Sequence, residues 1–147
     1  MGKKIAIGCD PNAQDMKTLI MAHLQSLGYE SEDFGSDDPV YANVAIAVAT
    51  AVAQGTCDRG ILICGTGIGM SIAANKVPGA YAALCSDAYS AERARKSNNA
   101  NIMTLGALVV GSELAKTLVT IWMRSEFDPE SPSGQKVKRI VDFESEL

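Results

Sequence analysis

Short apolar runs alternate with longer amphipathic ones along the whole chain. Residues 3–9 (KKIAIGC) form a compact apolar run that predicts a strand ending at Asp10. Over 12–27, Met16, Leu19, Ile20, His23, Leu24 and Leu27 recur at spacings of three and four, the stripe of a helix, and Gly28 closes it. Residues 29–34 read as a weaker strand, GSDDP at 35–39 as a loop, and the Ala- and Val-rich 40–54 as a buried helix. RGILIC at Arg59–Cys64 is the clearest buried strand, and it runs into GTGIG at 65–69. A helix from that loop through Lys76 stops at Val77-Pro78-Gly79. Beyond it the pattern predicts a strand over 80–85, a charged helix over 87–97, a strand over 102–105, and helices over 111–124 and 136–144.

Strands separated by helices pair in parallel through right-handed crossovers. The expectation is one α/β domain over 1–147, with about five parallel strands and helices on both faces. A 47% hydrophobic and 20% charged composition fits a packed globular chain, and 5% aromatics leave the core to Ala, Val, Ile and Leu. The net charge of −4 argues against nucleic acid as a partner, which would call for clustered Lys and Arg. No apolar run is long enough to cross a membrane, and MGKKIAIGCD lacks the apolar stretch of a secretion signal. Cys9, Cys57, Cys64 and Cys85 are scattered with no CxxC pair, as expected of reduced thiols in a cytoplasmic protein.

In open parallel sheets, ligands bind beyond the carboxyl ends of the strands. Asp10, residues 64–69 and Ser86-Asp87 occupy those positions. The densest signal is Cys64-Gly65-Thr66-Gly67-Ile68-Gly69-Met70-Ser71. Alternate glycines after a buried strand let the backbone turn sharply and aim several N–H groups at one point, and the following helix start favours an anion there. The spacing is neither GxGxxG nor GxxxxGK[ST]. Cys64 beside those donors could serve as nucleophile or base, although a Cys closing an apolar strand is more often a small core residue. The sole histidine, His23, lies on an apolar helix stripe and reads as structural, which leaves a Cys–His mechanism poorly supported. No metal-ligand spacing appears, so no cofactor is expected. Asp10 suits a hydroxyl-binding or base role, or equally a helix N-cap. The polar run 97–101 precedes a strand and should lie at the opposite end of the sheet unless its loop folds across.

Four segments together resemble the type B ribose-5-phosphate isomerases and the galactose-6-phosphate isomerases. They are GCD at 8–10, ILICGTGIGMSIAANK at 61–76, SDAYSAERAR at 86–95 and NNANIMTLGALVVG at 98–111. The likeness runs from Lys3 to about Ile140. It implies a Rossmann-like three-layer sandwich, a homodimer or dimer of dimers with its site between subunits, and a metal-independent aldose–ketose isomerisation. By resemblance, Cys64 is the base that moves a proton between C1 and C2 of an open-chain sugar. The backbone of Gly65, Gly67, Ile68 and Gly69, with Ser71, would hold enediolate oxygens. Thr66 and Asp10 would bind or relay protons for hydroxyls, Asn98 and Asn99 would bind substrate, and the phosphate would be met by Lys136, or by Lys138, Arg139, Arg95, Ser131 or Ser133.

The sequence also departs from that family. Pro11 stands where a His follows the first-strand Asp, and Ser97 where a ring-opening His precedes the Asn-rich stretch. Leu108 replaces an Arg, and the phosphate-binding Arg pair falls near Pro132 or Ser133 and at Lys136. One explanation is a four-carbon sugar phosphate, too short to close a ring through its phosphorylated hydroxyl. The other is a chain that keeps the scaffold without the catalysis, or that needs a different partner subunit. A non-catalytic sugar-phosphate binder is the competing class, and a redox-sensing Cys64 ranks last for want of a resolving cysteine nearby.

Overall fold

The computed structural model describes residues 3–147; Met1 and Gly2, the first residues of the domain expected over 1–147, lie outside the described residues. The strands are β1 (Lys4–Cys9), β2 (Glu30–Asp33), β3 (Arg59–Cys64), β4 (Ala82–Leu84) and β5 (Ile102–Gly106). The α-helices are α1 (Gln14–Ser26), α2 (Tyr41–Ala53), α3 (Ile68–Ala74), α4 (Ala88–Lys96), α5 (Ser112–Arg124) and α6 (Gly134–Ser145). The strands form one sheet, every pair parallel, in the order β2-β1-β3-β5-β4.

The two-residue period of the strands sorts the core into two halves. Ile5, Ile7, Ile61, Ile63, Met103 and Leu105 face α1, α4 and α5. Ala6, Leu62, Cys64 and Ile102 face α2 and α3. Burying each large aliphatic side chain contributes about 1.5–3 kcal/mol, and both sides of β3 are sealed this way. The chain leaves β1 towards one edge of the sheet and β3 towards the other. Their connections diverge, so a crevice opens between the carboxyl ends of β1 and β3, where ligands of such sheets bind.

Three elements differ from the sequence reading. The helix expected from residue 12 starts with a 3-10 turn, Pro11–Ala13, because Asp10 caps it and Pro11 fixes its first dihedral. The strand expected over 80–85 is only three residues long. Tyr81 donates its N–H to the Asn101 side chain (2.8 Å), and Ala82 exchanges bonds with the Asn75 carboxamide, N–H to Oδ1 at 2.8 Å and C=O from Nδ2 at 3.0 Å. The last helix begins at Gly134 rather than Lys136 and stands outside both helical layers. Val137 is its one buried residue, and Glu144 Oε1 accepts from the Gly79 N–H and the Tyr81 hydroxyl, each at 3.0 Å. Among the described residues, no helix is long and apolar enough to cross a membrane.

Candidate active site

Cys64 is the last residue of β3, 6% exposed, with its side chain on the α2/α3 face. Its Sγ accepts the Gly67 N–H at 3.0 Å. Gly67 can aim that N–H back at the sulfur because it sits in the left-handed region, φ +82°, which side-chain-bearing residues resist. Thr66 Oγ1 accepts from Ile68 N–H at 3.2 Å. The N–H groups of Gly65, Thr66 and Gly69 donate to no other group among the described residues, leaving free donors in the loop that follows the thiol. The end of β5 supports the loop from beneath: Ala107 N–H donates to the Cys64 carbonyl (2.8 Å) and Leu108 N–H to that of Gly65 (3.0 Å).

Asp10 faces this loop across the crevice, its N–H on the Ile63 carbonyl at 3.0 Å. Its carboxylate Oδ1 accepts from Asn12 N–H at 2.9 Å, so the N-cap role is realised. The Oδ2 atom has no hydrogen bond among the described residues and is open to a ligand hydroxyl. Ser71 lies one turn into α3, half-buried, its hydroxyl directed at the Ala82 carbonyl. Ile68 is half-exposed.

The remaining candidates lie elsewhere. Asn98 and Asn99 line a cavity of about 300 Å³ with Tyr81, Ala100, Val137 and Ile140, at the amino ends of β4 and β5. The Asn101 carbonyl accepts from Gly60 N–H, so this loop is level with the start of β3, roughly 13 Å along the strand from Cys64. Lys136 is exposed in the first turn of α6. Its neighbours Lys138 and Arg139 are paired with Asp142 and Glu146, whereas Lys136 has no ion-pair partner among the described residues. Within one chain, then, Cys64 and the group Asn98, Asn99 and Lys136 belong to opposite ends of the sheet.

Tyr41, beside the glycine loop, went unnoticed in the sequence. The Tyr41 hydroxyl lies where a Cβ on Gly69 would have to be, 2.3 Å away. Its only signal was a tyrosine opening an otherwise aliphatic helix. Ile68, Ile72, Leu84, Leu108 and Val109 form an exposed apolar rim, with Leu108 87% exposed. The other thiols are shut away: burial pushes Cys9 up to about 11 and Cys85 up to about 12, and raises Cys57 too. His23 Nε2 pairs with Thr120 Oγ1 at 2.7 Å and joins α1 to α5, a structural contact.

Residues 5–140 match the model of a family described as Ribose/Galactose Isomerase. The chain belongs to this family. It is 49% identical over 144 residues to a D-erythrulose-4-phosphate isomerase of Pectobacterium atrosepticum, covering 95% of this chain and 94% of the relative. It is 48% identical over 147 residues to a Ribose-5-P isomerase B of Listeria innocua, covering 98% and 96%. The solved structure of Clostridium thermocellum Ribose-5-Phosphate Isomerase B superposes with a TM-score of 0.91 at 44% identity, over 97% of this chain and 98% of that one. As a Ribose/Galactose Isomerase family member, the protein is a sugar-phosphate isomerase that interconverts aldose and ketose.

Proposed function

We propose that this isomerase acts on a four-carbon sugar phosphate, interconverting erythrulose-4-phosphate and erythrose-4-phosphate through an enediolate with Cys64 as base. The observation that carries the chemistry is the Cys64 sulfur bonded to Gly67 N–H and followed by a loop with unpartnered N–H groups. Starting from the aldose, the Cys64 thiolate takes the proton from C2, and the C1=O π electrons move onto O1. The free N–H groups of Gly65, Thr66 and Gly69 stabilise that oxygen as its charge develops. The thiol returns the proton to C1, and a second proton passes from O2 to O1 through Thr66 or Asp10. No water, redox partner or metal enters this balance.

Two sequence positions support the reading of substrate length. Ribose-5-phosphate is a ring in solution and must be opened before C2 can be deprotonated. Ser97 and Pro11 supply no imidazole for that step. A tetrose 4-phosphate has no free hydroxyl that can reach its carbonyl to close a stable ring, so the step is not needed. The name of the Pectobacterium relative supports this reading. The name of the Listeria relative favours ribose-5-phosphate instead, which is the second reading.

The phosphate end rests on a second copy of the chain. Asn98, Asn99 and Lys136 of one subunit would complete the site around Cys64 of the other, in a homodimer or a dimer of dimers. The apolar rim about the thiol is the surface such a partner would cover. A panel of aldose and ketose phosphates of four to six carbons, read by turnover and by deuterium exchange at C2, tests the substrate. The expected result is a higher kcat/KM for the tetrose pair than for ribose-5-phosphate or six-carbon phosphates. Best turnover on ribose-5-phosphate would overturn it, and no exchange with any sugar would favour a non-catalytic binder.

A further inference from the structure

Thr104 is fully buried in the middle of β5, opposite Leu62, and its side chain shares the α2/α3 face with Cys64. A buried hydroxyl needs a partner, and this one donates to the Gly67 carbonyl at 2.9 Å. The same carbonyl accepts Ser71 N–H at 3.1 Å, at the start of α3. Gly67 is therefore held by its carbonyl while its N–H points at the Cys64 sulfur. Without a side chain, only such external bonds stop the residue from rotating out of its left-handed conformation. The backbone beneath is equally close, since a Cβ on Gly106 would stand 2.7 Å from the Thr66 carbonyl.

We propose that Thr104 is a positioning residue: its hydroxyl fixes Gly67 so that the Gly67 N–H stays on the Cys64 sulfur. The effect on turnover rests on the reading of Cys64 as base; the effect on the thiol does not. Buried beneath the loop, Thr104 acts through Gly67 and not on the substrate. The N–H donated to the sulfur holds that atom in one position, and the sulfur is the atom that alkylates and abstracts protons.

Thr104→Val removes the hydroxyl at nearly constant shape, and the Gly67 carbonyl keeps its bond from Ser71. Thr104→Ala gives the same comparison without added bulk, and Thr104→Ser keeps the donor. Iodoacetamide is the probe, at about pH 8, where the raised Cys9, Cys57 and Cys85 stay protonated, and peptide mass mapping counts the label on Cys64 alone. Thr104→Val should alkylate about fivefold more slowly, the factor that one hydrogen bond represents. Turnover should fall by a similar factor in kcat with little change in KM, and Thr104→Ser should restore both. Wild-type alkylation in Thr104→Val and Thr104→Ala, or a serine variant as slow as valine, would overturn the assignment. Slowed alkylation rescued by serine, with turnover untouched, would uphold Thr104 and retire Cys64 as the base.

Discussion

A thiol at the end of a buried strand is ordinarily inert, and Cys9 and Cys85 fit that pattern: among the described residues no N–H donates to either sulfur, and burial favours the neutral thiol in both. Cys64 differs by one hydrogen bond, the Gly67 N–H, and by the free donors in the loop after it. Cys64→Ser is close to isosteric and keeps an acceptor for that N–H, so the fold should survive. A hydroxyl is a far weaker acid than a thiol, and isomerisation should drop by at least roughly 10². Steady-state turnover beside a thermal melt separates the two effects. A serine variant with full activity would sink Cys64 as the base.

At the scale of the elements, three segments meet over one carboxylate. Arg59 at the start of β3 donates to the Trp122 and Ser125 carbonyls at the end of α5 and to Glu126 (2.9 Å), and stacks on the Trp122 ring at 5.2 Å. Arg95 on α4 reaches the Ser125 and Ala100 carbonyls and the Asn99 side chain, with Glu126 at 3.7 Å. Burial lowers both guanidiniums, Arg95 to about 10, which leaves them charged at neutral pH. Partial burial works against the Glu126 carboxylate, yet Lys3, Arg59 and Arg95 together hold it below its usual value. A depressed carboxylate contributes stability above its unfolded pKa and loses it as pH falls through the folded one. Glu126→Gln should therefore cost about 1–2 kcal/mol at neutral pH, less than a fully buried pair because Glu126 is 62% exposed. The difference from the native protein should shrink as pH falls below the usual carboxylate range, and melting curves taken from neutral pH downward measure it. A constant difference at all pH values would mean that the charge is not what matters.

Much of this was legible in the sequence, because hydrophobic period is a local property. RGILIC reads as a buried strand whatever surrounds it, and the glycine loop after it shows the turn. Other features depend on what the chain meets in space. Thr104 looks like any β-branched residue in IMTLG until Gly67 is known to lie beside it. Asn75 and Asn101 read as helix end and loop, yet their side chains cut β4 to three residues. Asn98 and Asn99 are polar and well placed in the linear order. Their place before the strand over 102–105 already put them at the far end of the sheet from Cys64, and the parallel β5 keeps them there.

For the whole molecule, the proposed pairing of two chains would make each subunit half of a site. Light scattering at micromolar concentration should give a dimer or larger. A sharper measurement mixes two crippled chains, Cys64→Ser and Asn98→Ala, by co-expression or by unfolding and refolding together. In a two-fold dimer, half the molecules pair unlike chains, and each of these rebuilds one intact site of two. About a quarter of native activity should return from two nearly inactive parents. No recovery would confine each active site to a single subunit.

The two outer strands of the sheet also decide what the protein does when crowded. An uncovered strand offers a ladder of unpaired groups on which another chain can add, the first step towards a fibril. β2 deters this with charge, since its sequence is ESED. β4 carries no charge at all. The β5 amide of Ile102 takes the Tyr81 carbonyl, so the alternation turns the N–H and C=O of Ala82 outward, and the Asn75 carboxamide binds both. One side chain stands in for a missing neighbour strand. Asn75→Ala would leave the active-site loop intact and uncap that edge. Turbidity during concentrated storage should rise well before any loss of activity, and a variant that stays clear would show that α6 alone suffices to guard it.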